Sequence, residues 1–151
     1  MSTSPKELWL ENQICFPLYA GSRLITKLYT PFLQELDITY PQYLVLLVLW
    51  KEDAQTVSQI SDKLFLETNT ITPLLKRMEQ KGLIARVRST ADERKVNIVL
   101  TSKGLDLREK AECIPNEIVK QSNKSDVTLE EVMQLKDTLN KMLRIWSEAE
   151  E

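Results

Sequence analysis

The feature that most constrains the fold is a pair of short-helix signals in the middle of the chain. Thr56 and Gln59 form a capping box, in which each side chain satisfies a free N–H group at a helix start. A second short helix is predicted to start at Asn69 or Thr70 and to stop at Gly82, a residue typical of helix C-termini. Two short helices joined by a few residues form a helix-turn-helix pattern.

Two strands are predicted directly after this pattern. Residues 83–88 alternate apolar and polar side chains in their second half, and residues 95–100 do so at their start. The segment between them is mostly polar or charged, so the strands form a hairpin with a projecting tip. A hairpin after a helix-turn-helix is the order of a winged helix. The predicted fold class is therefore mainly α, with a small β-hairpin wing.

Helices are predicted on both sides of this winged helix-turn-helix. The first runs from about Pro5 to Leu36, with a bend near Pro17 or Pro31. Pro41 disfavours the α region at Tyr40, and an apolar helix follows from Gln42 to Trp50. Thr101 starts a helix to about Gln121 with a kink at Pro115, and Thr128 starts the last helix, to about Trp146. One continuous domain results, with an N-terminal dimerisation helix at 1–36, the winged helix-turn-helix at 37–101 and C-terminal dimerisation helices at 102–151.

Composition excludes most enzyme chemistry and leaves room for one domain. The chain has 151 residues, no histidine, two cysteines and three glycines. Ser-His and Cys-His catalytic pairs, histidine metal sites and glycine-rich phosphate loops are therefore absent. We expect no enzyme activity, no catalytic residue, no metal and no cofactor. The N-terminus does not read as a signal peptide and the longest apolar run is too short for a bilayer, so we expect a cytoplasmic protein without a membrane partner.

The charge distribution is uneven along the chain. The formal net charge is −2, yet residues 74–95 hold 7 basic and 3 acidic side chains, a local charge of +4. The segments on either side are acidic. This basic segment comprises the second short helix and the hairpin, the parts of a winged helix that meet DNA. A charge run alone is often only a solvated surface, but its coincidence with these two elements favours a DNA-binding lobe.

The second short helix carries polar residues at its start, where a helix in the major groove presents side chains to base edges. Ile71, Leu74, Leu75 and Met78 follow helical spacing and are expected to face the core. One of the polar residues is expected to cap the helix instead of reading DNA. The predicted DNA-binding residues of this helix are Thr68, Asn69, Thr70, Thr72, Lys76 and Arg77.

The hairpin contributes a second set of predicted DNA contacts. Arg94 at its tip is suited to a narrow minor groove, whose negative potential attracts arginine. Asp92 is expected to pair with a strand arginine, Arg86 or Arg88, and so to hold the wing in shape. The predicted wing residues are Arg86, Arg88, Asp92, Arg94 and Lys95.

Several strings resemble the MarR family of dimeric winged-helix repressors. Asp92-Glu93-Arg94, followed by residues 100–104 (LTSKG), resembles that family's acidic-Arg wing and L-T-x-x-G string. Residues 10–16 (LENQICF), 38–44 (ITYPQYL) and 74–79 (LLKRME) resemble its organic-hydroperoxide-sensing branch, the OhrR-like regulators. The resemblance covers residues from about 8 to 146. It implies a homodimer that grips double-stranded operator DNA, an inverted repeat with half-sites about 34 Å or a multiple apart.

Cys15 is the candidate redox-sensing residue. A lone helical cysteine is more often a small buried hydrophobe. However, all four tyrosines of the chain lie between residues 19 and 43, and phenol O–H groups can stabilise a thiolate, the nucleophilic form. The resemblance implies that Tyr29 and Tyr40 reach Cys15 across a dimer interface, and that Tyr19 supports it.

The resemblance also implies a mechanism, in which an organic hydroperoxide oxidises Cys15 to a sulfenic acid and the dimer leaves its promoter. The sulfenic acid then condenses with a second thiol. A low-molecular-weight thiol is the favoured partner, because Cys113 does not match the position of the resolving cysteine in relatives that have one. Cys113 is then a core or surface residue.

Three other functions stay open at this point. A repressor induced by a small aromatic ligand would leave Cys15 incidental. A thiol peroxidase would use Cys15 catalytically, although the sequence places no Arg or His next to that residue. A helical adaptor would leave the arginines of the wing unexplained.

Overall fold

The computed structural model describes residues 5–89, 92, 95–122 and 126–148. These residues form two compact units, one ending at Tyr40 and one beginning at Pro41. The fold is mainly helical with a small antiparallel sheet, as the sequence predicted. The helices are α1 Cys15–Glu35, α2 Tyr40–Lys51, α3 Val57–Leu64, α4 Thr68–Gln80, α5 Ser102–Ala111, α6 Ile114–Ser122 and α7 Leu129–Glu148, and the strands are β1 Gln55–Thr56, β2 Ile84–Arg88 and β3 Val96–Leu100.

The first helix begins ten residues later than the sequence predicted. Two 3-10 turns, Lys6–Leu8 and Leu10–Asn12, precede α1, which begins at Cys15. Pro17 accounts for the correction, because it has no N–H for the carbonyl of Gln13 and loses no helical hydrogen bond in the first turn, whereas Pro31 lies inside α1. Cys15 therefore lies at the N-terminus of a helix and not in its interior.

The end of α1 is a Schellman motif. Asp37 has φ 52°, in the left-handed region, and its N–H donates to the carbonyl of Gln34 at 3.0 Å. The Ile38 N–H donates to the Leu33 carbonyl at 3.0 Å, which is the second bond of the motif. Helix α2 then starts at Tyr40, so the prediction that Pro41 would exclude Tyr40 from the helix was wrong. Pro41 lies in the first turn, where a missing N–H removes no helical hydrogen bond.

The second unit holds the core of the winged helix-turn-helix. The capping box of α3 is confirmed, with the Gln59 N–H 3.2 Å from Thr56 Oγ1 and the Thr56 N–H 2.8 Å from Gln59 Oε1. Helix α4 begins one or two residues earlier than predicted. Its apolar stripe packs inward together with side chains from α2, α3, the sheet and α6. The fully buried side chains are Val45, Leu46, Leu49, Ile60, Ile71, Leu75, Met78, Leu83, Ile84, Ile98 and Ile114.

The sheet has three strands in the order β1-β3-β2, all antiparallel. The register of the hairpin places Ile84 opposite Leu100 and Arg88 opposite Val96. Strand β1 was not predicted, because two residues are too short to show an alternating pattern. The Asp53 carboxylate accepts the Leu100 N–H at 3.0 Å and so holds the base of β3.

Two glycines of this unit lie where the backbone requires a residue without a side chain. Gly82 has φ 69° and ends α4 through a bond from its N–H to the Glu79 carbonyl at 2.9 Å, as predicted for a C-terminal stop. Gly104 lies in α5, where an added Cβ would stand 2.1 Å from the Leu83 carbonyl oxygen. The Trp50 indole N–H donates to the Gly104 carbonyl at 2.9 Å, which joins α2 to α5.

The long helix predicted after Thr101 is two helices, α5 and α6, with the break at Glu112 and Cys113. Pro115 has no N–H for the Ala111 carbonyl, which favours a break before it, and it lies in the first turn of α6. Helix α7 starts at the predicted capping box of Thr128 and Glu131. None of its twenty described residues is buried. No described helix is long and apolar enough to cross a membrane.

Candidate functional site

Helix α4 buries its aliphatic stripe and exposes most of its polar residues, and we call it the recognition helix. Ile71, Leu74, Leu75 and Met78 are buried, as the spacing predicted. The six predicted DNA-binding residues of this helix are all exposed, on the opposite side or at its start. The arrangement offers hydroxyl, amide, ammonium and guanidinium groups to an outside surface. These are groups that bind base edges and phosphates.

The start of the recognition helix differs in one respect from the prediction. The N-cap residue is Glu67, whose side chain makes no cap bond, so none of Thr68, Asn69, Thr70 and Thr72 caps the helix. The expectation that one of them would do so was wrong. The Thr72 hydroxyl donates to the Thr68 carbonyl at 2.7 Å, which leaves its oxygen and methyl group for an outside partner.

The wing, residues 83–100, carries its basic residues on β2 and just before β3. Arg86, Arg88 and Lys95 are exposed, and Asp92 is half-buried in the hairpin loop. Arg86 forms an ion pair with Glu79 of the recognition helix, with 3.3 Å between Nε and Oε2. The pairing of Asp92 with Arg86 or Arg88 stays a prediction, and Arg94 lies outside the described residues. No sequence signal indicated Glu79, because the pair joins a helix to a strand.

Cys15 is the first residue of α1 and its side chain is exposed. Phe16 and Ile14 beside it are also exposed, at 43% and 69%. The thiol is therefore accessible to a reagent and flanked by apolar side chains.

Tyr29 and Tyr40 form one aromatic pair. Their ring centroids lie 5.0 Å apart in an edge-to-face arrangement. Burial raises the pKa of both phenols above the ordinary tyrosine value, and for Tyr40 the neighbouring Tyr29 raises it further. Both phenols therefore stay protonated at neutral pH and can donate hydrogen bonds.

Tyr19, one turn after Cys15, makes its described contacts with Arg23. The Arg23 guanidinium lies 5.5 Å from the centroid of the Tyr19 ring, and Nη1 donates to the phenol oxygen at 3.3 Å. Sequence reasoning missed Arg23, although its spacing of four residues from Tyr19 on a helix is a usable signal.

One chain does not bring the predicted thiol site together. Tyr29 follows Cys15 by fourteen residues on the same helix, which places it about 21 Å further along the axis. Tyr40 lies against Tyr29 and is therefore also far from the Cys15 thiol of the same chain. The pair can approach a Cys15 thiol only if that thiol belongs to a second copy of the chain.

Cys113, the second thiol, is also exposed and lies between α5 and α6. Its S–H donates to the Lys110 carbonyl at 3.7 Å, and its own carbonyl accepts the Glu117 N–H at 3.1 Å. It is therefore a surface residue that starts α6, one of the two environments expected for it.

A protein-family model described as transcriptional regulator SarA/Rot matches residues 27–111. The chain is 52% identical over 134 residues to the organic hydroperoxide resistance transcriptional regulator of Bacillus subtilis, a match that covers 89% of each chain.

Solved structures of AbfR from Staphylococcus epidermidis are also similar. The reduced protein bound to DNA is 36% identical, with a TM-score of 0.72 over 94% of this chain and 95% of AbfR. The disulfide form is 39% identical, with a TM-score of 0.59 over 92% of each chain. MarR of E. coli, at 23% identity, has a TM-score of 0.70 over 87% of this chain and 97% of MarR, and shows a shared fold.

Proposed function

Since this chain belongs to the SarA/Rot and MarR families of winged-helix transcriptional regulators, in their organic-hydroperoxide-sensing OhrR-like branch, we propose that it releases operator DNA when Cys15 is oxidised. It is a thiol-based, redox-sensing DNA-binding regulator. The proposal assigns the sensing thiol to Cys15 and the DNA contacts to the recognition helix and the wing. We also propose that the protein binds DNA as a homodimer and acts as a repressor.

The observation that carries the DNA-binding part is the division of α4 into a buried apolar face and an exposed polar one. Lys76 and Arg77 lie on the exposed side, and Arg88 extends the positive charge onto β2, where Arg86 is paired with Glu79. Arginine and lysine neutralise phosphates, and the polar residues at the start of α4 supply groups that read bases.

Two observations support the homodimer. The Tyr29–Tyr40 pair cannot reach Cys15 within one chain, as the axial distance along α1 shows. In addition, α1 and α7 expose apolar side chains that a monomer would leave in water, among them Leu24, Ile25, Val132 and Leu135. A second copy would cover these residues and could bring tyrosines to a thiol of its partner.

The chemistry needs one hydroperoxide for each thiol. The Cys15 thiolate attacks the terminal oxygen of ROOH and the O–O bond breaks. The alkoxide RO⁻ leaves and takes up a proton to give the alcohol ROH. Cys15 becomes a sulfenic acid. A second thiol then attacks the sulfenic sulfur, a disulfide forms and water leaves. Protonated Tyr29 and Tyr40 would donate hydrogen bonds to the thiolate before attack, and Tyr19 would support it.

Disulfide formation is the step that we assign to DNA release. Both reduced and overoxidised AbfR have been crystallised bound to DNA, so in that protein overoxidation alone does not prevent DNA binding. A disulfide at Cys15 adds a bulky group where apolar side chains surround the thiol. A low-molecular-weight thiol is the proposed resolving partner, since Cys113 does not match the position of the resolving cysteine that the resemblance implies.

The test is DNA affinity before and after one equivalent of cumene hydroperoxide, followed by a small thiol such as cysteine. Fluorescence anisotropy with labelled operator DNA measures the dissociation constant. We expect oxidised wild type to lose at least about tenfold in affinity, which is about 1.4 kcal/mol. Cys15→Ser should bind DNA and not respond, and Cys113→Ser should respond like wild type.

Equal affinity of the reduced and oxidised wild type would disprove the sensor proposal. Mass spectrometry of the oxidised protein separates a small-thiol adduct on Cys15 from an interchain bond to Cys113. The same experiment bears on enzyme activity. We propose that one equivalent of peroxide is consumed per subunit, whereas continued turnover with a thiol reductant would identify a peroxidase.

A further inference from the structure

A cleft of about 640 Å³ lies between the helix-turn-helix and the C-terminal end of α7. Its walls come from the end of α3, the turn after it, the first residue of the recognition helix and the last turns of α7. Sites for drug-sized ligands have volumes of roughly 300–1,000 Å³, so the cleft is large enough for one. It contains neither Cys15 nor the tyrosines assigned to the thiol.

Two aromatic side chains border the cleft, Phe65 and Trp146. Phe65 has φ 52° and lies in a Schellman motif. Its N–H donates to the Asp62 carbonyl at 3.3 Å, and the Leu66 N–H donates to the Ser61 carbonyl at 3.1 Å. Glycine or asparagine is usual at such a position, and a bulky residue there is strained. Phe65 is nevertheless 57% exposed, so packing in the core does not explain the aromatic residue.

The charges around the cleft have one predominant sign. Asp62 and Glu67 contribute carboxylates, and neither forms an ion pair with a described residue. The C-terminal ends of α3 and α7 both border the cleft and carry partial negative charge. The N-terminus of α4 has the opposite sign, but the Glu67 carboxylate stands beside it. The nearby Lys63 ammonium is bound to Glu52 and Gln55, at 3.1 and 2.7 Å.

We propose that this cleft binds a lipophilic organic cation, and that binding weakens the grip on DNA without oxidation of Cys15. Aromatic faces and carboxylates together are the groups that recognise such cations. Glu67 and Thr68 belong to both the cleft and the start of the recognition helix, so a bound cation would contact the segment that reads DNA. The effect on DNA rests on the proposed function, whereas cation binding does not.

The test uses two probes of the same shape and opposite charge, tetraphenylphosphonium and tetraphenylborate. Isothermal titration of the reduced full-length protein measures both affinities. We expect the cation to bind at least about tenfold more tightly than the anion, because charge is the main difference between the probes. Equal affinities, or tighter binding of the borate, would overturn the proposal.

Variants locate the cation. Asp62→Asn combined with Glu67→Gln should weaken phosphonium binding by about tenfold or more, and Trp146→Ala should weaken it as well. Asp137→Asn, in the middle of α7 and outside the cleft, is the matched control and should change nothing. Circular dichroism verifies that each variant folds. Wild-type affinity for phosphonium in both cleft variants would overturn the site. Wild-type affinity in a Trp146→Ala protein that has dissociated into monomers would overturn it as well.

The effect on DNA is measured separately with Cys15→Ser, which removes the redox response. Phosphonium should lower operator affinity of this variant several-fold, and the Asp62→Asn, Glu67→Gln double variant should be insensitive. If the cation binds and operator affinity is unchanged, the regulatory part of the inference is wrong. If the reduced protein binds no operator at all, the proposed function itself fails, whatever the titration shows.

Discussion

The recognition helix and the thiol-bearing helix differ in how much of their structure one chain supplies. Helix α4 buries four apolar side chains and is tied to its neighbours by the Gly82 turn and the Glu79–Arg86 ion pair. Helix α1 buries only Leu33 among its 21 residues, all of which the structure describes. Helix α4 is therefore packed into the core of its own chain. Helix α1 presents an apolar surface and the Cys15 thiol, which Tyr29 and Tyr40 of the same chain do not reach.

This difference suggests separate structural requirements for the DNA-binding surface and for the proposed thiol site. The surface that we assign to DNA is preformed, because its polar residues stand on a helix fixed by close packing. The thiol site that we propose needs a second copy of the chain, because Tyr29 lies about 21 Å along α1 from Cys15. We therefore expect oxidation of Cys15 to change the arrangement of two DNA-reading lobes in a dimer, and to leave each lobe folded.

The largest effect is expected from Gly104→Ala, which tests the packing of the DNA-reading unit. The added Cβ would stand 2.1 Å from the backbone oxygen of Leu83, so α5 must move away from the turn after α4. We expect a loss of at least about 3 kcal/mol in the free energy of unfolding, at the upper end for overpacking. Urea denaturation of the reduced protein measures it.

The same substitution in α1 is the matched control. A Cβ at Gly21 would have no other atom within 4 Å, and alanine favours the helix. Gly21→Ala should leave stability unchanged or raise it by up to about 1 kcal/mol. A loss as large as that at Gly104 would mean that α1 is closely packed there, and the contrast between the two regions would no longer hold.

The next effect tests whether the exposed face of α1 meets a second copy. Leu24 and Leu28 are one turn apart and exposed. Because a buried leucine contributes roughly 1.5–3 kcal/mol, replacing both with glutamate should raise the dimer dissociation constant at least about 100-fold. Sedimentation velocity measures it, with Lys27→Gln as control. A dimer of unchanged stability in the double variant would show that the interface lies elsewhere.

A smaller effect is expected on DNA binding from Lys76→Gln in the recognition helix. Loss of one phosphate contact should lower affinity for all sequences alike and reduce the slope of log affinity against log salt by about one unit per subunit. Lys136→Gln, on α7, serves as the comparison and should keep the wild-type slope. If Lys76→Gln also keeps it, Lys76 does not contact phosphate.

The smallest effect concerns the aromatic pair of the first unit. The pKa values of Tyr29 and Tyr40 are raised in the folded protein, so above about pH 10 the unfolded chain loses these protons first. Their contribution to stability is complete below that pH and disappears as the pH rises through the raised values. The double variant Tyr29→Phe, Tyr40→Phe should therefore lose less stability between pH 9 and pH 11, ~1 unit either side of the ordinary value. Thermal melts over that range measure it, and an unchanged pH profile would contradict the interpretation.

Local sequence patterns predicted the DNA-reading lobe well because its elements have strong local signals. The capping box at Thr56 and the stop at Gly82 correspond to observed hydrogen bonds. Prolines led to wrong helix boundaries outside the helix-turn-helix and the hairpin. The sequence does not show whether Pro17, Pro41 or Pro115 bends a helix, begins one or separates two, because the outcome depends on the packing of the following turn.

The sequence by itself determined the order of helices and hairpin, the apolar stripe of α4, the basic segment and the identity of the candidate thiol. Spacing and capping are local properties, and they survive in any arrangement of the chain. Only the tertiary structure decided that Arg86 pairs with Glu79, that Phe65 and Trp146 border one cleft, and that Tyr29 packs edge-to-face against Tyr40. Each of these contacts joins side chains from two different elements. Packing sets the distance between such elements, and no local sequence pattern specifies it.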